Sequence, residues 1–155
     1  CELWRRAGLP NGVLNLVQGG RGTGNAIASH PGIDGILFTG SFEAGVSLRQ
    51  TFAANPAKIL ALEMGGNNPL VVHGVADIDA AVSLTILSAF LSAGQRCTCP
   101  RRLIVTDWPQ SHDFLDRLVA RASGLRVGKP DDTPEPFMGP VIDEGTARRL
   151  LGYQD

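Results

Sequence analysis

A chain of 155 residues suffices for one compact domain with a core, or for a segment of something larger. Its 14 basic and 15 acidic residues leave a net charge of −1, and a composition 43% hydrophobic and 19% charged excludes a wholly disordered chain. Without a Lys/Arg stripe there is no footing for a dedicated nucleic-acid binder. The longest uncharged run, Ala80 to Gln95, carries Ser83, Thr85, Ser88 and Ser92 and is too short and too polar to span a bilayer. Three cysteines, Cys1, Cys97 and Cys99, are an odd number in a chain too large to need staples, which favours a reducing, cytoplasmic setting over a secreted disulfide scaffold.

The chain opens without an initiator Met or a signal-peptide pattern, and Cys1 to Gly8 reads as the last turns of a helix closed by Gly8. An internal segment of a longer protein is therefore expected. After the turn Leu9-Pro10-Asn11-Gly12, Val13 to Val17 reads as a short strand running into Gly19-Gly20-Arg21-Gly22-Thr23-Gly24, with a helix from there to about Ser29. Ile33 to Thr39 is a second strand, followed through Gly40-Ser41 by a helix over Phe42 to Ala53. Lys58 to Glu63 and Pro69 to Val72 are further apolar runs. Strands alternating with helices of this length predict parallel βαβ units and an α/β fold.

Asp77-Ile78-Asp79 places carboxylates where a helix dipole favours them, and the helix to about Ser92 is apolar on nearly every face, which predicts burial. Pro100 to Asp107 reads as a strand and Val127 to Pro140 as a Pro/Gly-rich loop. Pro109 to Ser123 reads as an amphipathic helix with Phe114, Leu115, Leu118 and Val119 inward. A last helix is expected over Thr146 to Asp155. A join is expected near Glu63 to Asn68, where the βαβ pattern gives way to the long apolar helix.

Four places could carry chemistry. The glycine-rich stretch fails the dinucleotide fingerprint, because the third glycine position is Asn25 or Ile27 according to the starting point. It still offers either a tight turn or an anion-binding helix N-terminus containing Gly19 and Gly24. Gly40-Ser41, followed by Gly45, is a second strand-to-helix junction, where Ser41 serves as a helix cap or as a phosphate donor. Glu63 enters the Gly65-Gly66 turn, either as a surface carboxylate or as a general base whose pKa is raised by partial desolvation. Cys97 follows Gly94-Gln95-Arg96 in a loop, beside a cation that favours the thiolate, and is either a nucleophile or a structural thiol. Cys99 is a filler, a resolving thiol or half of a metal pair. His30, His73 and His112 are scattered and no second cysteine pair exists, so no metal is expected. Nor is there a Gly-x-Ser-x-Gly elbow for a serine hydrolase.

Together, Phe38-Thr39-Gly40-Ser41, Leu62-Glu63-Met64-Gly65-Gly66-Asn67-Asn68-Pro69 and Gly94-Gln95-Arg96-Cys97-Thr98 resemble the aldehyde dehydrogenase superfamily. In that family a Leu-Glu-x-Gly-Gly glutamate precedes a Gly-Gln-x-Cys cysteine by a fixed interval, and the interval from Glu63 to Cys97 matches it. The likeness continues through Val127-Gly128-Lys129-Pro130 and Gly139-Pro140-Val141-Ile142. It implies that residues 1–62 are the C-terminal part of a Rossmann-like NAD(P)-binding domain. Residues 63–155 would then be the N-terminal part of the α/β catalytic domain.

The resemblance further implies Cys97 as nucleophile and Glu63 as general base. Gly40, Ser41 and Gly45 would stand at the pyrophosphate end of NAD, with NADP left open. Gly65 and Gly66 would let the nicotinamide pass, and the Gly19–Gly24 loop would lie near the adenosine half. Segments around Glu63 and Cys97 are most similar to the branch that oxidises N-succinylglutamate 5-semialdehyde in arginine catabolism, although most of the family carries Lys where Asn67 stands. The expected substrate is thus an acidic aldehyde, with Arg96, Arg101 and Arg102 as nearby cations, and the parent enzyme is expected to be a homo-oligomer. The family's oxyanion Asn and its adenosine-ribose ligands would lie upstream of Cys1, and its nicotinamide-ribose glutamate beyond Asp155, so the isolated segment is expected to be inactive. Two other readings remain: a non-catalytic nucleotide-binding or interface module, and a thiol redox protein using Cys97 and Cys99, whose short loop would strain a disulfide.

Overall fold

The computed structural model describes residues 1–153, which divide into two compact units, Cys1–Met64 and a second from Gly65 onward. The first unit contains helices α1 (Glu2–Arg6), α2 (Arg21–Ser29) and α3 (Phe42–Phe52) and strands β1 (Gly35–Gly40) and β2 (Ile59–Met64). The two strands pair in parallel, in the register Gly35↔Ile59 to Gly40↔Met64, and α3 is the crossover that parallel pairing demands. Ser41 starts α3 in extended conformation, its Oγ accepting the Ala44 N–H at 3.2 Å. Gly45 and Phe52 are the buried residues of α3, and a Cβ on Gly45 would overlap the Met64 Sδ, so with glycine here α3 packs on the end of β2 without displacing that side chain.

Two expectations fail in this unit. Val13 to Val17 forms no strand among the described residues: it is irregular and exposed, tied locally by Asn15 Nδ2 donating to the Gly12 carbonyl. An apolar run becomes a strand only where a partner supplies the ladder, and here β1 takes β2 instead. The second failure is the starting point of α2, which begins at Arg21 after an extended Gly20, so Gly22 and Gly24 lie inside its first turns rather than in a loop.

The second unit contains strands β3 (Asn68–Val72) and β4 (Pro100–Val105) and helices α4 (Ile78–Phe90), α5 (Ser111–Ser123) and α6 (Glu144–Leu151). β3 and β4 are again parallel, but the register slips after Asn68↔Pro100 to Pro69↔Arg102. Asp77 caps α4 by accepting the Ala80 N–H at 2.9 Å, and Asp143 caps α6 by accepting that of Thr146 at 2.6 Å. That backbone N–H holds the Asp143 carboxyl below its ordinary range. Val72, Val82, Ile86 and Phe114 make the core, with Leu70, Val105, Trp108 and Leu118 packed around it. Outside it, Arg117 bridges α5 and α4, donating to Asp79 at 3.0 Å and to Asp113 at 2.9 Å, and the bonded guanidinium lowers the Asp113 pKa.

Here too the pattern misled. Although α4 is apolar all round, it buries one face through Val82, Thr85 and Ile86, and Leu84 is 64% exposed. Its periodicity cannot tell a helix enclosed on all sides from one covered on a single side. On α5, Phe114 is buried and Leu118 partly so, but Leu115 and Val119 are exposed, because 114 and 118 share one face and 115 and 119 each lie about 100° further around. Phe114 is wholly enclosed and meets Trp108 with ring centroids 6.0 Å apart. Phe114→Ala is therefore expected to destabilise the fold by about 3–5 kcal/mol, measured as a lowered urea midpoint at constant slope. A change below about 1 kcal/mol would contradict this account of the core.

Candidate active site

The loop bearing Cys97 begins where α4 ends. Ser92 (φ 60°), Ala93 (φ 54°) and Gly94 (φ 66°) follow one another in left-handed conformation and reverse the chain in a single 3₁₀ turn. For Ser92 and Ala93 that conformation costs roughly 1–2 kcal/mol each, because Cβ crowds the following carbonyl. Gly94 avoids the cost, and a Cβ there would lie 3.0 Å from the Ala89 carbonyl oxygen.

Side chains hold this turn. Gln95 donates through Nε2 to the Ser92 carbonyl at 3.3 Å, and its Oε1 accepts the Ile142 N–H at 3.1 Å, tying the turn to a segment far along the chain. Arg101 donates to the Gly94 carbonyl at 2.9 Å. Beyond the turn, the Cys99 N–H donates to the Arg96 carbonyl at 3.2 Å, and Asn68 Nδ2 reaches the carbonyls of Cys97 at 2.6 Å and Cys99 at 3.3 Å.

Cys97 is exposed and Cys99 is 1% exposed, so the two thiols differ in access although they are neighbours in sequence. The enclosed Cys99 is placed as a filler, which weakens the reading of a Cys97–Cys99 redox pair. Arg96, Arg101 and Arg102 are all exposed; Arg101 donates to the Gly94 carbonyl and Arg96 to that of Leu87 at 3.5 Å.

Glu63 stands one residue before the end of β2, paired in register with Thr39, and is exposed. No burial by this chain's own residues supplies the desolvation expected for it. Gly40 ends β1, where a Cβ would run into the Phe38 ring, so its glycine has a packing reason besides any ligand. The Ser41 hydroxyl caps α3, as the capping reading expects. Gly19 has no room for a side chain beside Thr23, whereas a Cβ on Gly24 or Gly65 would meet nothing within 4 Å. Gly66 sits against Asn68, with 3.1 Å between a built Cβ and Oδ1.

Between α2 and α3, beside β1, lies a groove of about 760 Å³ lined by Gly24, Ile27, Ile36, Phe38, Ser47 and Leu48 among others. Among the histidines, His73 Nδ1 bonds Thr106 Oγ1 at 2.7 Å and His30 Nδ1 accepts the Gly32 N–H at 3.0 Å. No group of three or more His, Cys, Asp or Glu among the described residues is placed to hold a metal. No helix among them is long and apolar enough to cross a membrane. Sequence reasoning passed over Gln95 and Asn68 as framework residues.

Parallel strands with helical crossovers, a Glu-Met-Gly-Gly strand end and an exposed cysteine held in a tied loop define the class: the chain belongs to the aldehyde dehydrogenase family, which it matches over residues 1–155. It is 56% identical to the N-succinylglutamate 5-semialdehyde dehydrogenase of Yersinia pestis bv. Antiqua (strain Angola), over 99% of this chain and 30% of that one. It therefore spans about 30% of the length of such curated relatives. Among solved structures, proline utilization A from Bradyrhizobium japonicum matches with a TM-score of 0.90 and 34% identity, covering 99% of this chain and 16% of that one. The 1-pyrroline-5-carboxylate dehydrogenase from Thermus with bound NAD matches with a TM-score of 0.87 and 32% identity, covering 98% and 30%.

Proposed function

We propose that this chain is the part of an NAD-dependent aldehyde dehydrogenase that carries the nucleophile and the general base, and that the enzyme oxidises N-succinylglutamate 5-semialdehyde to N-succinylglutamate. The observation that carries the reading is the cysteine loop: a solvent-accessible thiol at position 97, held by long-range bonds, beside a thiol at 99 that is shut away.

Cys97 acts as a thiolate that adds to the aldehyde carbon, forming a C–S bond and an oxyanion to which the Cys97 backbone N–H donates. Bound NAD supplies the acceptor for the hydride that this carbon loses. The thioester left on Cys97 is then attacked by water whose proton Glu63 takes; the C–S bond breaks, the acid leaves and the thiolate is restored.

The first unit supports the cofactor assignment. The groove has apolar walls, Ile27, Ile36 and Leu48, suited to a flat base, and Gly24 opens onto it without crowding. The α3 N-terminus beyond Gly40 and Ser41 offers backbone N–H groups suited to a pyrophosphate. Gly45, which lets α3 close on β2, keeps that terminus in place. Gly19 shapes the entry to α2, and Gly65 and Gly66 are assigned to the approach of the nicotinamide. The first unit is thus read as the end of the cofactor domain and the second as the start of the catalytic domain. The enzyme works in the cytoplasm as a homo-oligomer.

Arg96, Arg101 and Arg102 lie close in sequence to the nucleophile and favour a substrate with carboxylates. In the full-length protein, kcat/KM for N-succinylglutamate 5-semialdehyde is expected to exceed that for a simple aliphatic aldehyde by about 100-fold. Equal values would remove the substrate assignment and leave the reaction class standing.

A further inference from the structure

Both strands that frame the cysteine loop have a proline at or near their start, Pro69 in β3 and Pro100 in β4. Proline has no N–H to give to a ladder, so parallel pairing cannot be completed by backbone groups at this end. The register reflects it: Asn68 faces Pro100, the next pair is Pro69 with Arg102, and Arg101 is skipped. The carbonyls of Cys97 and Cys99 emerge at this irregular end, and the two protons of the Asn68 carboxamide are directed at them, at 2.6 Å and 3.3 Å.

The two bonds fall on different kinds of residue. Cys99 is enclosed by its surroundings in addition to the bond from Asn68. Cys97 is exposed, and its carbonyl is the point at which the side chain of Asn68 reaches the residue itself. Gln95 and Arg101 secure the upstream half of the loop through Ser92 and Gly94, so Asn68 closes the downstream half.

We propose that Asn68 is a positioning residue for Cys97: its carboxamide pins the Cys97 carbonyl and thereby sets the direction in which the thiol leaves the backbone. Both amide protons are engaged by carbonyls, so Asn68 itself does not touch the substrate oxygen. The proposal rests on the reading of Cys97 as nucleophile and adds to it the residue that aims the sulfur. Misplacing a reacting atom by about 1 Å can cost a hundredfold in rate, which is the scale on which such a clamp acts.

The test uses the full-length protein with Asn68→Ala, Asn68→Asp and Asn68→Ser. Asp has the shape of Asn but turns oxygen towards the carbonyls; Ser keeps one shorter donor. The readouts are the rate of iodoacetamide alkylation at Cys97 as a function of pH, mapped by mass spectrometry, together with kcat, KM and Tm. Asn68→Ala and Asn68→Asp are expected to lower both the alkylation rate and kcat by about 10- to 100-fold, with KM for NAD held within about twofold and Asn68→Ser recovering part of the loss. A changed Tm with alkylation and kcat within twofold of the parent would overturn the proposal. If Asn68→Ala does not fold, Asp and Ser decide, and equal rates for the two would likewise overturn it. The underlying reading is scored separately: turnover retained by Cys97→Ser removes the nucleophile, whereas the effect of Asn68 on alkylation is measured without any turnover.

Discussion

Cys97→Ser in the full-length protein is expected to lower kcat by at least about 10⁴-fold while the variant folds and keeps its NAD affinity. Sulfur and oxygen differ little in size at an exposed position, so the loss reports chemistry rather than packing. A serine hydroxyl is scarcely ionised near neutrality and has no neighbouring base assigned to it here, whereas a thiol is partly thiolate and intrinsically more nucleophilic. The three cysteines supply internal controls. Cys1 is exposed, Cys99 is enclosed, and Cys97 is exposed within a tied loop. In the parent protein, iodoacetamide should therefore modify Cys97 ahead of Cys1, leave Cys99 untouched until unfolding, and be blocked at Cys97 by aldehyde with cofactor. Labelling of Cys97 no faster than Cys1, together with no turnover in the full-length parent, would favour a non-catalytic nucleotide-binding or interface module instead, whereas unchanged turnover in Cys97→Ser would move the nucleophile elsewhere.

Much of this was legible before any coordinates, and the parts that were not share a cause. Periodicity and punctuation placed β1, β2, β3 and β4 close to where they stand, because each is an apolar run with turn residues on both sides and each has a partner. Val13 to Val17 has the same local signature and no strand partner among the described residues, and local sequence carries no mark of that difference. The apolar surround of α4 announced a buried helix, yet burial is a property of what lies opposite, and Leu84 and Leu87 face outward in this chain. The left-handed run was hidden for another reason. Gly94 is a familiar sign, but Ser92 and Ala93 enter that region against their own preference, held by Gln95 and Arg101. Among the candidate site residues, the identities of Cys97 and Glu63 were visible as motifs. The contrast in burial between Cys97 and Cys99 was not, since two residues so close in sequence share almost all of their local context. Asn68 was least visible of all, because its role depends on a register slip that only strand pairing reveals.

Glu63→Gln should separate the two halves of the reaction. The substitution keeps the shape of the side chain and the pairing of residue 63 with Thr39, so β2 and its register should survive. It removes the carboxylate that takes a proton from water and leaves Cys97 able to form its bond to carbon. Addition and hydride loss then proceed once, and the thioester persists because nothing activates the water that would release it. The expected trace on mixing enzyme, NAD and aldehyde is a rapid formation of one equivalent of NADH per Cys97, followed by a steady rate lower than the parent's by about 10²- to 10⁴-fold. Quenching at the plateau and measuring intact mass should find the acyl group on the peptide containing Cys97. A variant showing neither burst nor slowed turnover would remove Glu63 from the reaction. One that lost the burst as well would place Glu63 in the first half, beside the thiol's own ionisation, rather than in the release of the acid.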